Sequence, residues 1–239
     1  MRYTTEREHA VRTTEHLKRW DVLEPGGGAL SRRLDDGNIL MACTGLSFRW
    51  WDVTVDDFIV LDPDGDIVEQ TGALGASGTP VHLALYREFP ACHGIVHAHS
   101  PHALAFASLG AEIPSVTNQL DTLGTIACAS ADDLVVKQRV AREGSRHPIP
   151  PGIVQGPGPY AVNMEIVPQI LDTLRPRAAE LDRHGLGFTI YRHGLMAIGR
   201  TLDEAANNAH RIESGARAAI LQATLAGGLS QVRTNPLYA

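Results

Sequence analysis

The chain has 239 residues, which is enough for one large α/β domain. Apolar residues make up 44% and charged residues 20%, as in ordinary globular proteins, and this excludes disordered, collagen-like and coiled-coil chains. The net charge is −6 and no basic run is longer than two residues. We therefore expect no nucleic-acid partner, because phosphate binding needs a basic surface.

Cysteine content and the N-terminal sequence bear on the compartment. Three cysteines without a CxxC pair indicate reduced thiols and not a disulfide framework. The polar N-terminus lacks the apolar core of a signal peptide, and no stretch reaches the roughly 18 apolar residues that span a bilayer. These features predict a cytoplasmic protein without membrane contact.

The first quarter of the chain contains one predicted helix and three short strands. Residues 4–19 place apolar side chains on one helical face. Residues 24–33 contain three consecutive glycines and predict a loop whose backbone can approach another group closely. Residues 37–45 predict a strand. Residues 56–70 predict a β-hairpin, because two β-branched runs flank the turn sequence Asp-Pro-Asp-Gly-Asp.

A helix, a strand and a second helix follow. Residues 77–90 predict a helix with Pro80 in its first turn, a position that suits proline. Residues 92–100 form an apolar run typical of a buried strand. Residues 101–110 predict a short helix that ends at a glycine.

The second half of the chain is less regular. Residues 129–165 mix helix-like pieces with Pro/Gly-rich ones and indicate an excursion on the surface or near a site. Residues 166–185 predict an interrupted helix, residues 186–199 two strands, and residues 201–228 the longest helix. Together the elements predict one α/β domain over residues 1–239, an α/β/α sandwich with a largely antiparallel central sheet.

Two histidines end the predicted buried strand. Side chains at i and i+2 of a strand point to the same face, so His97 and His99 can converge on one ion. A divalent metal binds neutral imidazoles at about 2 Å. His193 is the best third ligand, because it ends a strand and precedes a glycine where the backbone can bend. A histidine pair alone is also explained by packing or surface exposure. We assign no ligand role to His93, which precedes the strand, or to His102, which falls in the following helix.

Two longer segments resemble the class II aldolase/adducin family, namely SGTPVHLALYREFPACHGIVHAHSPHALAFASLG and HGLMAIGRTLDEAANNAHRIE. The similarity extends over most of residues 5–130 and 186–225. It implies the class II aldolase-like fold, a small-molecule substrate and a metal held by His97, His99 and His193. Zinc is the usual metal of the family, and some members use manganese, cobalt or iron.

One position departs from the family pattern. Family enzymes usually carry an acid four residues before the histidine that corresponds to His82, and here that residue is Gly78. An aldolase must move a proton near the enediolate, and glycine cannot do so. The departure indicates altered chemistry.

The resemblance also suggests substrate-binding residues. A glycine–asparagine pair and a serine pair of the family each keep one member here, so a phosphate would have fewer donors and a carboxylate is the alternative. Asn118 could hydrogen-bond a substrate as well. The predicted substrate-binding residues are Gly28, Thr44, Gly45, Ser77 and Asn118.

Two further residues are candidates for proton transfer. Asp121 lies close to the place where the epimerase branch of the family carries a catalytic aspartate, although a solvated loop aspartate is the alternative. Tyr238 could act like the C-terminal tyrosine that some relatives present to a neighbouring site, and a disordered chain end is the favoured alternative.

Three functions are compatible with these residues. The first, which we expect, is a divalent-metal-dependent lyase that acts on a small hydroxy-ketone or 2-oxo acid through a metal-stabilised enolate, by C–C cleavage or decarboxylation. The second is a non-haem iron(II) oxygenase of the same fold that acts on a 2-oxo acid. The third is an adducin-like scaffold without catalysis, which the histidines disfavour because adducins lack them.

The resemblance implies a homo-oligomer, most commonly a tetramer with each site near a subunit boundary. Trp50 and Trp51 are adjacent, and a monomer rarely exposes two neighbouring indoles. We therefore expect one of them at a subunit contact.

Overall fold

An eight-stranded sheet forms the centre of the computed structural model, which describes residues 1–25, 27–43, 46–70, 76, 78–144 and 158–227. The predicted hairpin and the strands at both histidine segments are present. The strands are β1 (Gly28–Arg33), β2 (Ile39–Ala42), β3 (Phe58–Leu61), β4 (Ile67–Glu69), β5 (Gly94–Ala98), β6 (Cys128–Ala129), β7 (Leu186–Ile190) and β8 (Gly194–Gly199).

The strand order across the sheet is β4-β3-β2-β1-β5-β8-β7-β6. Neighbouring strands pair antiparallel, apart from β6 and β7, which pair parallel. The outer strands are short, with three residues in β4 and two in β6. The sheet confirms the prediction of a largely antiparallel α/β/α sandwich.

Helices cover both faces of the sheet, since each face carries its own apolar cluster. On one face lie α1 (Thr4–Arg19), α3 (Pro101–Leu109), α4 (Asn118–Asp121) and α8 (Leu202–Ala226). On the other lie α2 (Thr79–Glu88), α6 (Gly158–Leu174) and α7 (Leu181–His184), with α5 (Asp133–Glu143) packed on α6. None of these helices combines the length and apolar character that a bilayer crossing requires.

The glycine-rich segment forms a central strand, so the prediction of a loop over 24–33 was wrong for its second part. β1 pairs with β2 on one side and with β5 on the other. Gly28 has a φ of 139°, and a Cβ there would lie 2.7 Å from the His97 carbonyl oxygen. Glycine has low strand propensity, which concealed the strand, yet the close approach to β5 requires it.

Most of the described residues of the predicted excursion over 129–165 are helical. α5 and the first half of α6 lie in this segment, and Val136 packs against the apolar cluster beneath α6. Residues 145–157 are outside the described ranges. As predicted, the next helix is interrupted: α6 ends at Leu174 and a 3₁₀ turn, Arg175–Glu180, precedes α7.

Candidate metal centre

Three histidines meet at the end of β5. His97 is the fourth residue of β5 and His99 follows the strand, so both side chains point to one face. His193 belongs to the turn between β7 and β8, where Arg192 has a φ of 59° and the His193 N–H donates to the Ile190 carbonyl at 2.9 Å. Because β8 pairs with β5, this turn places His193 beside the other two histidines.

The three imidazoles face one another closely. Their ring centroids are 4.9, 5.0 and 5.2 Å apart, and the ring planes cross at 71° to 77°. The Nε2 atoms of His97 and His99 are 3.2 Å apart, and one ligand atom of each histidine lies within 4.8 Å of the other two. Nitrogens bound at about 2 Å to one tetrahedral ion are separated by about 3.3 Å. The spacing therefore fits a single divalent ion.

A hydrogen bond orients His97 as a ligand. Its Nδ1 lies 2.9 Å from the Leu195 carbonyl oxygen, which can only accept, so Nδ1 carries the proton and the Nε2 lone pair remains for a metal. Burial lowers the pKa of His97 well below its ordinary value, and the neighbouring His193 and His99 lower it further. The neutral form is the one that binds metal. The donor set fits zinc and other divalent ions.

Glycine backbone packs directly against the histidines. A Cβ on Gly27 would lie 2.6 Å from Cε1 of His99, and one on Gly194 would lie 2.9 Å from Cδ2 of the same ring. Gly28 approaches the His97 backbone in the same way. A side chain at Gly27 or Gly194 would displace the His99 imidazole, and one at Gly28 would collide with the backbone of β5. The predicted contact of Gly28 with the substrate stays a prediction. The structure shows that the absence of a side chain at Gly28 lets β1 approach β5 closely.

Sequence reasoning gave no role to His82, which lies in the first turn of α2. Its Nδ1 is 2.7 Å from the Ser31 hydroxyl, which is 2.8 Å from the Tyr86 hydroxyl. Burial lowers the pKa of His82 to about 3. Gly78 immediately precedes the helix, which begins at Thr79, and provides no side-chain cap. Only the spacing of four residues between Gly78 and His82 could have pointed to this pair.

The other predicted site residues are not grouped with the histidines in the described part of the chain. Asp121 accepts a hydrogen bond from the Ser115 hydroxyl at 2.7 Å, and its helix α4 packs on α8. The side chain of His97 points to the opposite face, where α2 lies. Asn118 is exposed at the start of α4. Outside the described residues lie Thr44, Gly45, Ser77 and Tyr238.

Comparison with known proteins places this fold and site in a wider group. The sequence matches the model for the class II aldolase and adducin N-terminal domain over residues 8–220. It is 31% identical over 186 residues to the L-ribulose-5-phosphate 4-epimerase UlaF of Salmonella paratyphi C, covering 77% of this chain and 69% of that protein. The UlaF protein of Salmonella typhi is 30% identical over 199 residues, covering 82% and 75%.

Solved structures share the fold. An L-fuculose 1-phosphate aldolase superposes with a TM-score of 0.69 at 18% identity, covering 99% of this chain and 92% of that one. The L-fuculose-1-phosphate aldolase of Thermus thermophilus gives 0.65 at 17% identity, covering 93% and 97%. The family match extends over most of the chain and includes all three histidines. This chain therefore belongs to the class II aldolase and adducin N-terminal domain family.

Proposed function

We propose that this chain is a divalent-metal-dependent lyase that breaks a carbon–carbon bond beside the carbonyl of a small hydroxy-ketone or 2-oxo acid. The convergence of His97, His99 and His193 supports the proposal, because a three-histidine set leaves open positions for a substrate. A divalent ion held there would act as a Lewis acid on substrate oxygens and stabilise the negative charge that cleavage leaves. We expect zinc, with manganese, cobalt or iron as alternatives.

The surroundings of the triad favour this chemistry. Ala29 and Met196, the cross-strand neighbours of His97, are buried and apolar, so charges at the site are weakly screened. The bond from His97 to the Leu195 carbonyl and the adjoining glycine backbone hold the rings in place before a substrate arrives. Electrostatic stabilisation is strongest when the stabilising groups need not reorganise.

Proton transfer at this site cannot use residue 78, because Gly78 has no side chain. We propose Asp121 and Tyr238 for that role, with each site shared between subunits. Decarboxylation requires no base at a substrate hydroxyl, so it tolerates Gly78 better than aldol cleavage does. We propose that the substrate contacts Gly28, Thr44, Gly45, Ser77 and Asn118.

A second candidate function is the epimerisation of a ketose phosphate. It is supported by the 31% identity to a protein named as an L-ribulose-5-phosphate 4-epimerase, of which this chain covers 69%. The lyase remains our first choice, because Gly78 indicates that the acid–base equipment of the relatives is altered.

The test is to measure substrate turnover by three samples of the protein, each reloaded with one metal: zinc, manganese or iron. L-fuculose 1-phosphate, L-ribulose 5-phosphate and a set of 2-oxo acids are followed by NMR, with oxygen uptake recorded in parallel. We expect fragments or carbon dioxide from one of the 2-oxo acids without oxygen uptake, and no enzyme-like cleavage of the two phosphates. An epimer without fragments would favour the second candidate. Oxygen uptake by the iron form would favour an oxygenase acting on a 2-oxo acid, and inert protein in every metal form would favour an adducin-like scaffold.

Gly78→Glu is expected to fold and to acquire cleavage of hydroxy-ketone phosphates. Gly78 has φ −73° and ψ −4°, which any residue adopts, and apart from its chain neighbours the nearest described atom to an added Cβ lies at 3.9 Å. The melting temperature is therefore expected to stay within about 3 °C of wild type. Gly78→Gln, which lacks the acid, is the control. Wild type that already cleaves these phosphates at enzyme-like rates would contradict our interpretation of Gly78.

We expect a homotetramer with Trp50 at a subunit contact. Trp51 is 3% exposed and its indole N–H donates to the Glu24 carbonyl at 2.9 Å, so it is already buried within its own chain. Trp50 is 68% exposed and remains available. Light scattering is expected to give four times the chain mass of 25.8 kDa, and Trp50→Ser to give a lower mass with unchanged circular dichroism. A wild-type monomer would contradict this expectation.

A further inference from the structure

A buried atom of His82 has no hydrogen-bond partner in the described part of the chain. The side chain is 1% exposed, and its Nε2 is the unpartnered atom. Buried polar atoms are nearly always paired in folded proteins, because an unpaired one destabilises the fold. The position therefore requires a reason other than packing.

The neighbouring hydroxyls indicate where the ring proton of His82 lies. The Tyr86 hydrogen needs an acceptor, and the described contacts offer it the Ser31 oxygen at 2.8 Å. The Ser31 hydrogen is then free to donate to Nδ1 of His82 at 2.7 Å. This arrangement leaves the imidazole proton on Nε2. Burial keeps both rings neutral, because it raises the pKa of Tyr86 well above its ordinary value and lowers that of His82.

The position that a side chain at Gly78 would occupy adjoins this Nε2–H group. A Cβ on Gly78 would be at ordinary van der Waals distance from this ring, 3.9 Å from Cδ2 and 4.0 Å from Nε2 of His82, and apart from the chain neighbours of Gly78 no other described residue comes within 4 Å of it. Gly78 is itself partly exposed, whereas Nε2 has almost no exposed surface, so a ligand would reach the ring through the position of the absent side chain. His82 also lies on the face toward which His97 points, because its partner Ser31 is the cross-strand neighbour of Ile95, two residues before His97 on β5.

We propose that the Nε2–H group of His82 donates a hydrogen bond to a substrate oxygen that enters the space beside Gly78. The acceptor that suits a neutral, buried donor best is a carboxylate oxygen, since charged acceptors form the stronger bonds. The site thus selects 2-oxo acids over ketoses that lack this oxygen. A ligand without this carboxylate oxygen leaves the Nε2–H group of His82 unpaired, so it is bound poorly and rejected. The inference rests on the proposed function, because it places the substrate at the triad.

Oxalate, which resembles a 2-oxo acid, is the probe. Its dissociation constant is measured by calorimetry on zinc-loaded wild type and on His82→Leu, His82→Gln and Leu83→Ala. We expect His82→Leu to weaken binding by roughly 10- to 100-fold, as for loss of a hydrogen bond to a charged group. The glutamine variant can still donate and is expected to recover most of the affinity. Leu83→Ala shortens a buried side chain of the same helix and is expected to leave the dissociation constant of oxalate unchanged. Zinc content is expected to be unchanged in all of them.

A second readout does not depend on affinity. In ¹⁵N-labelled protein, the His82 Nε2–H resonance is expected to be present without ligand, to shift when oxalate binds, and to be missing from His82→Leu. A proton on Nδ1, or equal affinity in wild type and His82→Leu, would overturn the role of His82 alone. Failure of oxalate to bind zinc-loaded wild type, or undiminished binding by His97→Ala, would contradict the proposed function as well.

Discussion

His97→Ala is expected to lose nearly all of its metal while it keeps its fold. The side chain supplies the most buried of the three candidate ligands, already oriented by its bond to the Leu195 carbonyl. Removing it leaves two imidazoles, and we expect zinc affinity to fall by at least about 100-fold, more than for loss of a supporting contact. Elemental analysis after dialysis is expected to find close to one zinc per wild-type chain and almost none per variant chain.

His93→Ala is the matched control. His93 immediately precedes the same strand but is exposed, and we expect its removal to leave the metal content unchanged. Circular dichroism separates loss of ligand from loss of fold. Undiminished zinc in His97→Ala, or wild type that cannot be loaded, would rule out the three-histidine site.

Arg7→Ala is expected to be among the most damaging substitutions outside the site. Arg7 is fully buried: its Nε donates to the Arg2 carbonyl at 2.9 Å, and its Nη1 donates to the carbonyls of Val55 and Phe58 at 3.0 and 2.6 Å. Its Nη2 pairs with Glu69 at 3.0 Å. Alanine removes all four of these contacts, and losing one partner of a largely buried ion pair costs about 3–5 kcal/mol.

Thermal unfolding measures the effect on stability. For a chain of this size, the expected loss lowers the melting temperature by roughly 6–20 °C. Arg12→Ala changes an exposed arginine of α1, the helix that contains Arg7, and is expected to shift the melting temperature by about 2 °C or less. Equal melting temperatures for the two variants would show that the Arg7 contacts contribute little to stability.

Local patterns predicted the elements whose signals lie within a few residues. The hairpin over 56–70 followed from its turn sequence, and the longest helix from its apolar spacing. β1 was missed because its stability comes from pairing on both sides and not from its own residues. Glycine there is required by the neighbouring strand, a tertiary constraint that local propensity does not contain.

As with the fold, local sequence patterns predicted only part of the candidate site. His97 and His99 followed from strand periodicity. His193 was named from its place before a glycine and from the family resemblance, but the pairing of β5 with β8 that brings it beside them joins residues far apart in sequence. The neutral state and empty hydrogen-bond position of His82 depend on burial and on two hydroxyls from different elements. No local pattern encodes such a contact. Asp121 is the opposite case. It was predicted from the sequence, yet it lies away from the histidines of its own chain, and its proposed role would depend on contacts between subunits.

The short outer strands, β4 and β6, have a consequence for how copies of the chain meet. An edge of two or three residues offers few free N–H and C=O groups, so it is a poor template for intermolecular strand pairing and for amyloid-like aggregation. The proposed homo-oligomer would then form through side chains on helices and turns, such as the exposed indole of Trp50. Such contacts depend on surface shape and apolar area, so they can form and dissociate without disturbing the hydrogen bonds of the sheet.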